Sequence, residues 1–134
     1  IFGAEHLAGN AQIFAHQANE TAKTFAAPFL LPEANHHLLE GLKRPKFAAT
    51  AIFLLSPSYS EIIRRRFELT AEIVRKSNFP TINFSATPGT LLQEVLETLT
   101  LSSLVTLKLA AIYKEDPAAI PWVDFFKERL KEIG

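Results

Sequence analysis

Residues 47–55, FAATAIFLL, are almost wholly apolar and show no alternation of apolar with polar side chains. A strand with one wet face alternates with period two. A run that is apolar on both parities suits a strand covered on both faces, which is the signature of a parallel sheet. Parallel neighbours require long crossover connections, usually helical. This one run therefore requires helices on either side of it.

The flanking sequence supplies them. Leu7 to Thr24 is Ala-rich and free of Pro, with Leu7, Phe14, Ala18 and Phe25 on one side of a 3.6-residue wheel, which predicts a helix. Residues 56–77 predict another, with Ser58 and Glu61 at capping-box spacing and a stripe of Ile63, Phe67, Thr70 and Val74. Residues 91–113 predict a third, and WVDFFKERLKEI an amphipathic helix that closes the chain. Between them, IFG reads as the end of a strand, PFLLPE (28–33) as a short strand and PTINFS (80–85) as a short buried strand. NHHLLEGL predicts a short helix capped by Asn35 and stopped near Gly41, while TPGT and EDPAAIP are breaks. Strands alternating with helices over short connections predict an α/β fold, a parallel sheet covered by helices on both faces. Ligands of such sheets gather at the carboxyl ends of the strands, so the loops after IFG, FAATAIFLL and PTINFS are the default site.

At 134 residues and 48% hydrophobic, the chain is long enough for one core and too short for two. An opening at Ile1 without an initiator Met suggests a piece of a longer protein. Acids and bases balance at 14 each, and the basic runs KRPK (43–46) and RRR (64–66) are the only clusters. Glu61, Glu68 and Glu72 lie a helical turn from those arginines, which argues for ion pairs on a wet face and against nucleic-acid binding. Cysteine is absent, which removes disulfides, thiolate metal sites and thiol catalysis. No apolar run approaches a membrane span of about 20 residues, and no leader pattern opens the chain. The expectation is a cytoplasmic protein.

Nucleotide-binding and hydrolase motifs are missing, and His6, His16, His36 and His37 lack the spacing of a helical metal pair. The stretch HQANETAK (16–23) stands out. Glu20 falls on the wheel face opposite Leu7, Phe14 and Ala18, among Asn10, His16, Gln17 and Asn19. An exposed Glu in a loose ion pair with Lys23 accounts for this. So does a catalytic base set among amides that suit sugar hydroxyls. His36 reads locally as a surface or capping residue, and Lys127 as a lysine whose stem lies along an apolar stripe.

Three blocks in series resemble the C-terminal half of the bifunctional phosphoglucose/phosphomannose isomerase family, whose two halves are sugar-isomerase (SIS) domains. The family's Gln-x-Asn-Glu-Asn-Ala-Lys is met by Gln17, Asn19, Glu20, Ala22 and Lys23, with Thr21 in place of Asn. Its Leu-Pro-Glu-x-Asn-His, with Gly five residues on, is met by Leu31, Pro32, Glu33, Asn35, His36 and Gly41. Its Asp-Pro followed by Ile-Asp-x-Leu-Lys is met by Asp116, Pro117, Val123, Asp124, Phe126 and Lys127. More loosely, RRRFELTAE resembles the family's arginine-rich helix. Departures are Phe14 and Ala15 for Trp-Lys, and His37 and Leu38 for Asn-Glu.

The resemblance implies a flavodoxin-type three-layer SIS domain over residues 1–134, lacking the N-terminal SIS domain that carries the Ser/Thr-rich phosphate loop and a catalytic arginine. It implies isomerisation of glucose or mannose 6-phosphate to fructose 6-phosphate through an enediol, with no metal or other cofactor. Glu20 would move the proton between C1 and C2. His36 would assist ring opening from the neighbouring subunit of a homodimer, and Lys127 would bind near the ring oxygen or the developing charge. Gln17, Asn19 and Asn35 would contact substrate. Alone, the domain would be inactive. The alternative is a non-catalytic SIS module that binds a sugar phosphate for regulation or dimerisation.

Overall fold

A computed structural model describes residues 1–44 and 47–132. The end of the basic run 43–46 and the last residues of the closing segment lie outside them. Four strands, β1 (Phe2–Ala4), β2 (Phe29–Leu31), β3 (Ala51–Leu55) and β4 (Thr81–Ser85), form one sheet in the order β2-β1-β3-β4 with every pairing parallel. The helices are α1 (Ala8–Glu20), α2 (Ala34–His37), α3 (Glu61–Lys76), α4 (Leu91–Tyr113) and α5 (Pro121–Lys131). Short 3₁₀ turns precede α1 (Glu5–Leu7) and follow α2 (Leu39–Lys43). Helix α1 packs on β1 and β2 and carries α4 on its back, while α3 packs on β2, β3 and β4. The expected parallel α/β sheet with helical layers is what forms.

The core is aromatic. Phe2 stacks on Phe53 at 4.6 Å between ring centres, Phe53 meets Phe67 edge-on, and Tyr59 stacks on Phe67 at 5.2 Å. The predicted stripe Ile63, Phe67, Thr70 and Val74 is buried in full. Close approach of α1 to β1 depends on Gly3, where an added Cβ would lie 2.7 Å from Ala11 Cβ and 2.9 Å from the Leu7 carbonyl oxygen. Both obstacles are on or next to backbone. Gly3→Ala is expected to destabilise the fold by about 1–3 kcal/mol, as overpacking does. The denaturant midpoint of the whole protein measures it, and an unchanged midpoint would refute the close contact.

Helix α4 is built the wrong way round for an ordinary amphipathic helix. Its buried side chains are Glu94, Thr98, Ser102, Thr106 and Ala110, one per turn, while Leu91, Leu92, Leu96, Leu104 and Leu107 face outward. Small residues on both helices, Ala11, Ala15 and Ala18 on α1 among them, let the two pack closely. The hydroxyls are buried at little cost because each donates within its own helix, Thr98 to the Glu94 carbonyl and Thr106 to that of Ser102. At 23 residues, with an 18-residue window of mean hydropathy 1.6, α4 is also long and apolar enough to cross a membrane, contrary to the reading of the sequence. The polar stripe and buried Glu94 tie it to α1 and to the loops after β1 and β3 instead.

Several local expectations differ from the structure. Helix α1 stops at Glu20, four residues early, because Lys23 takes a left-handed φ of 52° and the Thr24 amide turns back to the Ala18 carbonyl. Phe25 consequently leaves the apolar stripe and is 91% exposed. Asn35 does not cap α2; its side chain donates across to Thr70 Oγ1 at 2.8 Å and accepts from Arg66. The Ser58–Glu61 capping box does not form, since Ser58 is engaged elsewhere and Ser60 precedes α3. Strand β3 starts at Ala51, not Phe47. Strand β4 lies at the sheet edge with Ile82, Asn83 and Ser85 exposed, so it is not the buried strand its composition suggests. Of the expected arginine pairs on the wet face of α3, Arg65 with Glu68 forms, while Glu72 pairs with Lys76 and Glu61 has no ion pair among the described residues.

Candidate active site

Sequence reasoning offers two places for chemistry, and the fold separates them. At the carboxyl ends of β1 and β3, where the default site lies, the Glu94 carboxylate is wholly buried. Ser56 Oγ and Ser58 Oγ donate short hydrogen bonds to it, and His6 Nε2 lies 2.9 Å from Oε2. Burial pushes this carboxyl up, but the hydrogen bonds from Ser56, Ser58 and His6 outweigh it and hold the group below the usual carboxylate range.

A folded-state pKa below the unfolded value means that the ionised Glu94 stabilises the fold above the ordinary carboxylate value of about 4.3. That contribution disappears as pH falls through the depressed folded value. The stability gap between wild type and Glu94→Gln is therefore expected to be largest near neutrality and to shrink in acid. Denaturant midpoints of both proteins across pH 7 to about 3 measure it, and a gap independent of pH would contradict the assignment.

The second place is the end of α1. Because β1 and β2 are parallel, α1 runs back across the sheet, leaving Glu20 on the side of the strands' amino ends. The Glu20 carboxylate is exposed and has no hydrogen-bond partner among the described residues; its backbone carbonyl accepts from Lys23 Nζ. Asn19 pins the turn that follows. Its Nδ2 donates to the Ala15 and Ala26 carbonyls, and its Oδ1 accepts from the Ala26 amide. Gln17 leans on α4 through Nε2 to Ser103 Oγ at 2.9 Å, leaving Oε1 buried without a partner.

His36 lies beyond the carboxyl end of β2, exposed, at the opposite end of the strands from Glu20. Lys127 sits on α5, a helix with no buried side chain. One chain thus positions Glu20, His36 and Lys127 on three separate elements, with Glu20 and His36 at opposite ends of the strands. Among the described residues, no three His, Asp or Glu side chains converge in a way that could hold a metal ion.

Residues 1–130 match the family described as the bacterial phospho-glucose isomerase C-terminal SIS domain. The chain belongs to that family. It is similar to proteins named bifunctional phosphoglucose/phosphomannose isomerase from Pyrobaculum aerophilum (30% identical over 131 residues) and Pyrobaculum calidifontis (29% over 131). These alignments cover 98% of the chain, and 39% and 40% of the two relatives. A protein of the same name from Aquifex aeolicus is 25% identical over 118 residues, which is 87% of the chain and 37% of that relative. The chain therefore spans about two fifths of the length of the curated relatives it matches.

In this domain the cluster of His6, Ser56, Ser58 and Glu94 is what reading the sequence missed. Its one signal is a Glu in the first turn of a leucine-rich helix, LLQEVLETLTL, a stretch in which Glu97 gives the same signal. The serines that meet it lie more than thirty residues upstream, a pairing that only the fold reveals.

Proposed function

We propose that this domain supplies part of the active site of an isomerase that converts glucose 6-phosphate, mannose 6-phosphate or both to fructose 6-phosphate. The observation that carries the reading is the family match over residues 1–130 together with a free, exposed Glu20 at the end of a rigidly pinned helix. Glu20 takes the proton from C2 of the open-chain aldose. The electrons form a C1–C2 enediolate, the hydroxyl proton of O2 passes to O1, and the same carboxylate returns a proton to C1 as the ketose carbonyl forms at C2. Such a step requires an unencumbered carboxylate at hydrogen-bond distance from the carbon-bound proton and donors for the enediolate oxygen. Lys127 is the donor placed near the ring oxygen or that charge, and His36 assists ring opening. Asn35, with Gln17 and Asn19, orders the hydroxyl contacts. The proton moves between adjacent carbons, so the reaction needs no redox cofactor.

His36 acts in a neighbouring copy. Its place at the opposite end of the strands from Glu20 supports this, as do the exposed apolar faces of α4 and α5, with Leu104, Leu107, Trp122 and Phe126 exposed. A homodimer covers such a surface. An N-terminal SIS domain binds the phosphate, and the whole protein is cytoplasmic. This domain alone does not turn over substrate.

A second reading has one observation in its favour: Gln17, Asn19 and Asn35 are all engaged inside the domain. It makes the domain a non-catalytic sugar-phosphate module. Calorimetry and a coupled assay on the whole protein separate the two. Turnover of either aldose phosphate supports the isomerase, and tight binding without turnover overturns it.

A further inference from the structure

The strand order β2-β1-β3-β4 changes direction between β1 and β3, because the chain leaves β1 for β2 on one side and then crosses back to β3 on the other. A crevice opens at such a switch point beyond the carboxyl ends of the strands, and open α/β sheets bind their ligands there. In this domain the crevice is lined by the turn after β1, which carries His6, and by the loop after β3, which carries Ser56 and Ser58. All three side chains aim a polar atom at one point, and that point is occupied by the Glu94 carboxylate from the first turn of α4.

The surroundings are those of a built site. The Ser58 amide donates to Ser56 Oγ at 2.9 Å, which occupies an acceptor position on that oxygen and turns its proton toward Glu94. Tyr59 fixes the loop by donating to the Leu54 carbonyl and accepting from the Ala4 amide, joining β3 to β1 beneath the cradle. The His6 ring meets the Tyr59 ring edge-on at 5.4 Å. Thr90 and Gln93 close a reciprocal capping box that fixes where α4 begins, and hence where Glu94 enters. Three side-chain donors around two carboxylate oxygens form an oxyanion cradle.

We infer that this switch-point crevice is an oxyanion site permanently filled by the chain's own Glu94 carboxylate, and that a small free oxyanion takes its place when the carboxylate is removed. In the native protein the crevice therefore takes no substrate phosphate. The inference rests on the cradle's geometry and holds whether or not the domain is catalytic. Where the isomerase reading holds, the sugar phosphate is bound outside this crevice.

Thermal unfolding of the whole protein tests it, with wild type, Glu94→Ala and Glu94→Gln each measured without added anion, in sodium formate, in inorganic phosphate, and in sodium chloride of matched ionic strength. Glu94→Ala is expected to lower Tm, and formate or phosphate to return at least half of the difference from wild type, where chloride does not. Glu94→Gln, whose amide still fills the cradle, is expected to show no such narrowing. Comparing each variant with wild type in the same anion removes any stabilisation from a substrate site elsewhere, so loss of isomerase activity has no bearing on the result. A gap that stays constant in every anion, or that narrows equally for Glu94→Gln, overturns the inference. If Glu94→Ala does not fold in chloride, refolding in formate or phosphate decides: recovery of folded protein supports the cradle, and failure to recover it refutes it.

Discussion

Glu20→Gln in the whole protein is expected to fold as wild type does and to lose about 10²–10⁴-fold in kcat with either aldose phosphate, the loss typical of removing a general base. Both halves of that expectation follow from the position. The Glu20 carboxylate is exposed and hydrogen-bonded to nothing among the described residues, so replacing it with an amide of the same shape removes no interaction that holds the fold. The amide cannot take a proton from carbon. Retained activity in a coupled assay would remove Glu20 from the mechanism, and a lowered unfolding midpoint would give it a structural role instead.

The second large effect is a recovery. Glu20→Gln and His36→Ala are each expected to be nearly inactive, yet co-refolded together they should regain activity. In a symmetric dimer whose sites each take Glu20 from one subunit and His36 from the other, a mixed dimer holds one doubly damaged site and one intact site. Half of randomly assembled dimers are mixed, so the mixture should reach roughly a quarter of wild-type activity, given isologous pairing. The placement of the two residues at opposite ends of the strands motivates the experiment. No recovery, with mixed dimers confirmed by differential tagging, would place both residues in the same subunit's site.

The sheet was legible because its signal is local: an unbroken apolar run for β3 and a 3.6-residue stripe for α3 are each read from one stretch. Helix ends were harder. Lys23 in a left-handed conformation ends α1 where Gly would have announced it, and no composition rule marks a lysine for that task. Strand β4 illustrates another limit. Its apolar residues resemble those of a central strand, and edge position is a property of the whole topology, not of five residues.

The candidate site divides along the same line. Glu20, His36 and Lys127 are found through motif resemblance, since nothing in the periodicity of α1, α2 or α5 separates them from ordinary surface residues. The Glu94 cradle could not be found that way. Its members are separated by 88, 38 and 36 residues along the chain, and the leucine-rich helix around Glu94 reads as a core element whose leucines should be inside. In the fold Leu91, Leu92, Leu96, Leu104 and Leu107 face outward and the glutamate is buried, because the smaller residues alone allow α4 to lie close on α1.

The most direct test of Glu20 as the proton-transferring base is solvent isotope exchange. The whole protein is incubated with fructose 6-phosphate in D₂O, and deuterium at C2 of the aldose phosphate formed is followed by NMR, for wild type and for Glu20→Gln. The account predicts deuterium at C2 with wild type and its loss, together with turnover, in a folded Glu20→Gln. Exchange by Glu20→Gln at the wild-type rate would contradict it.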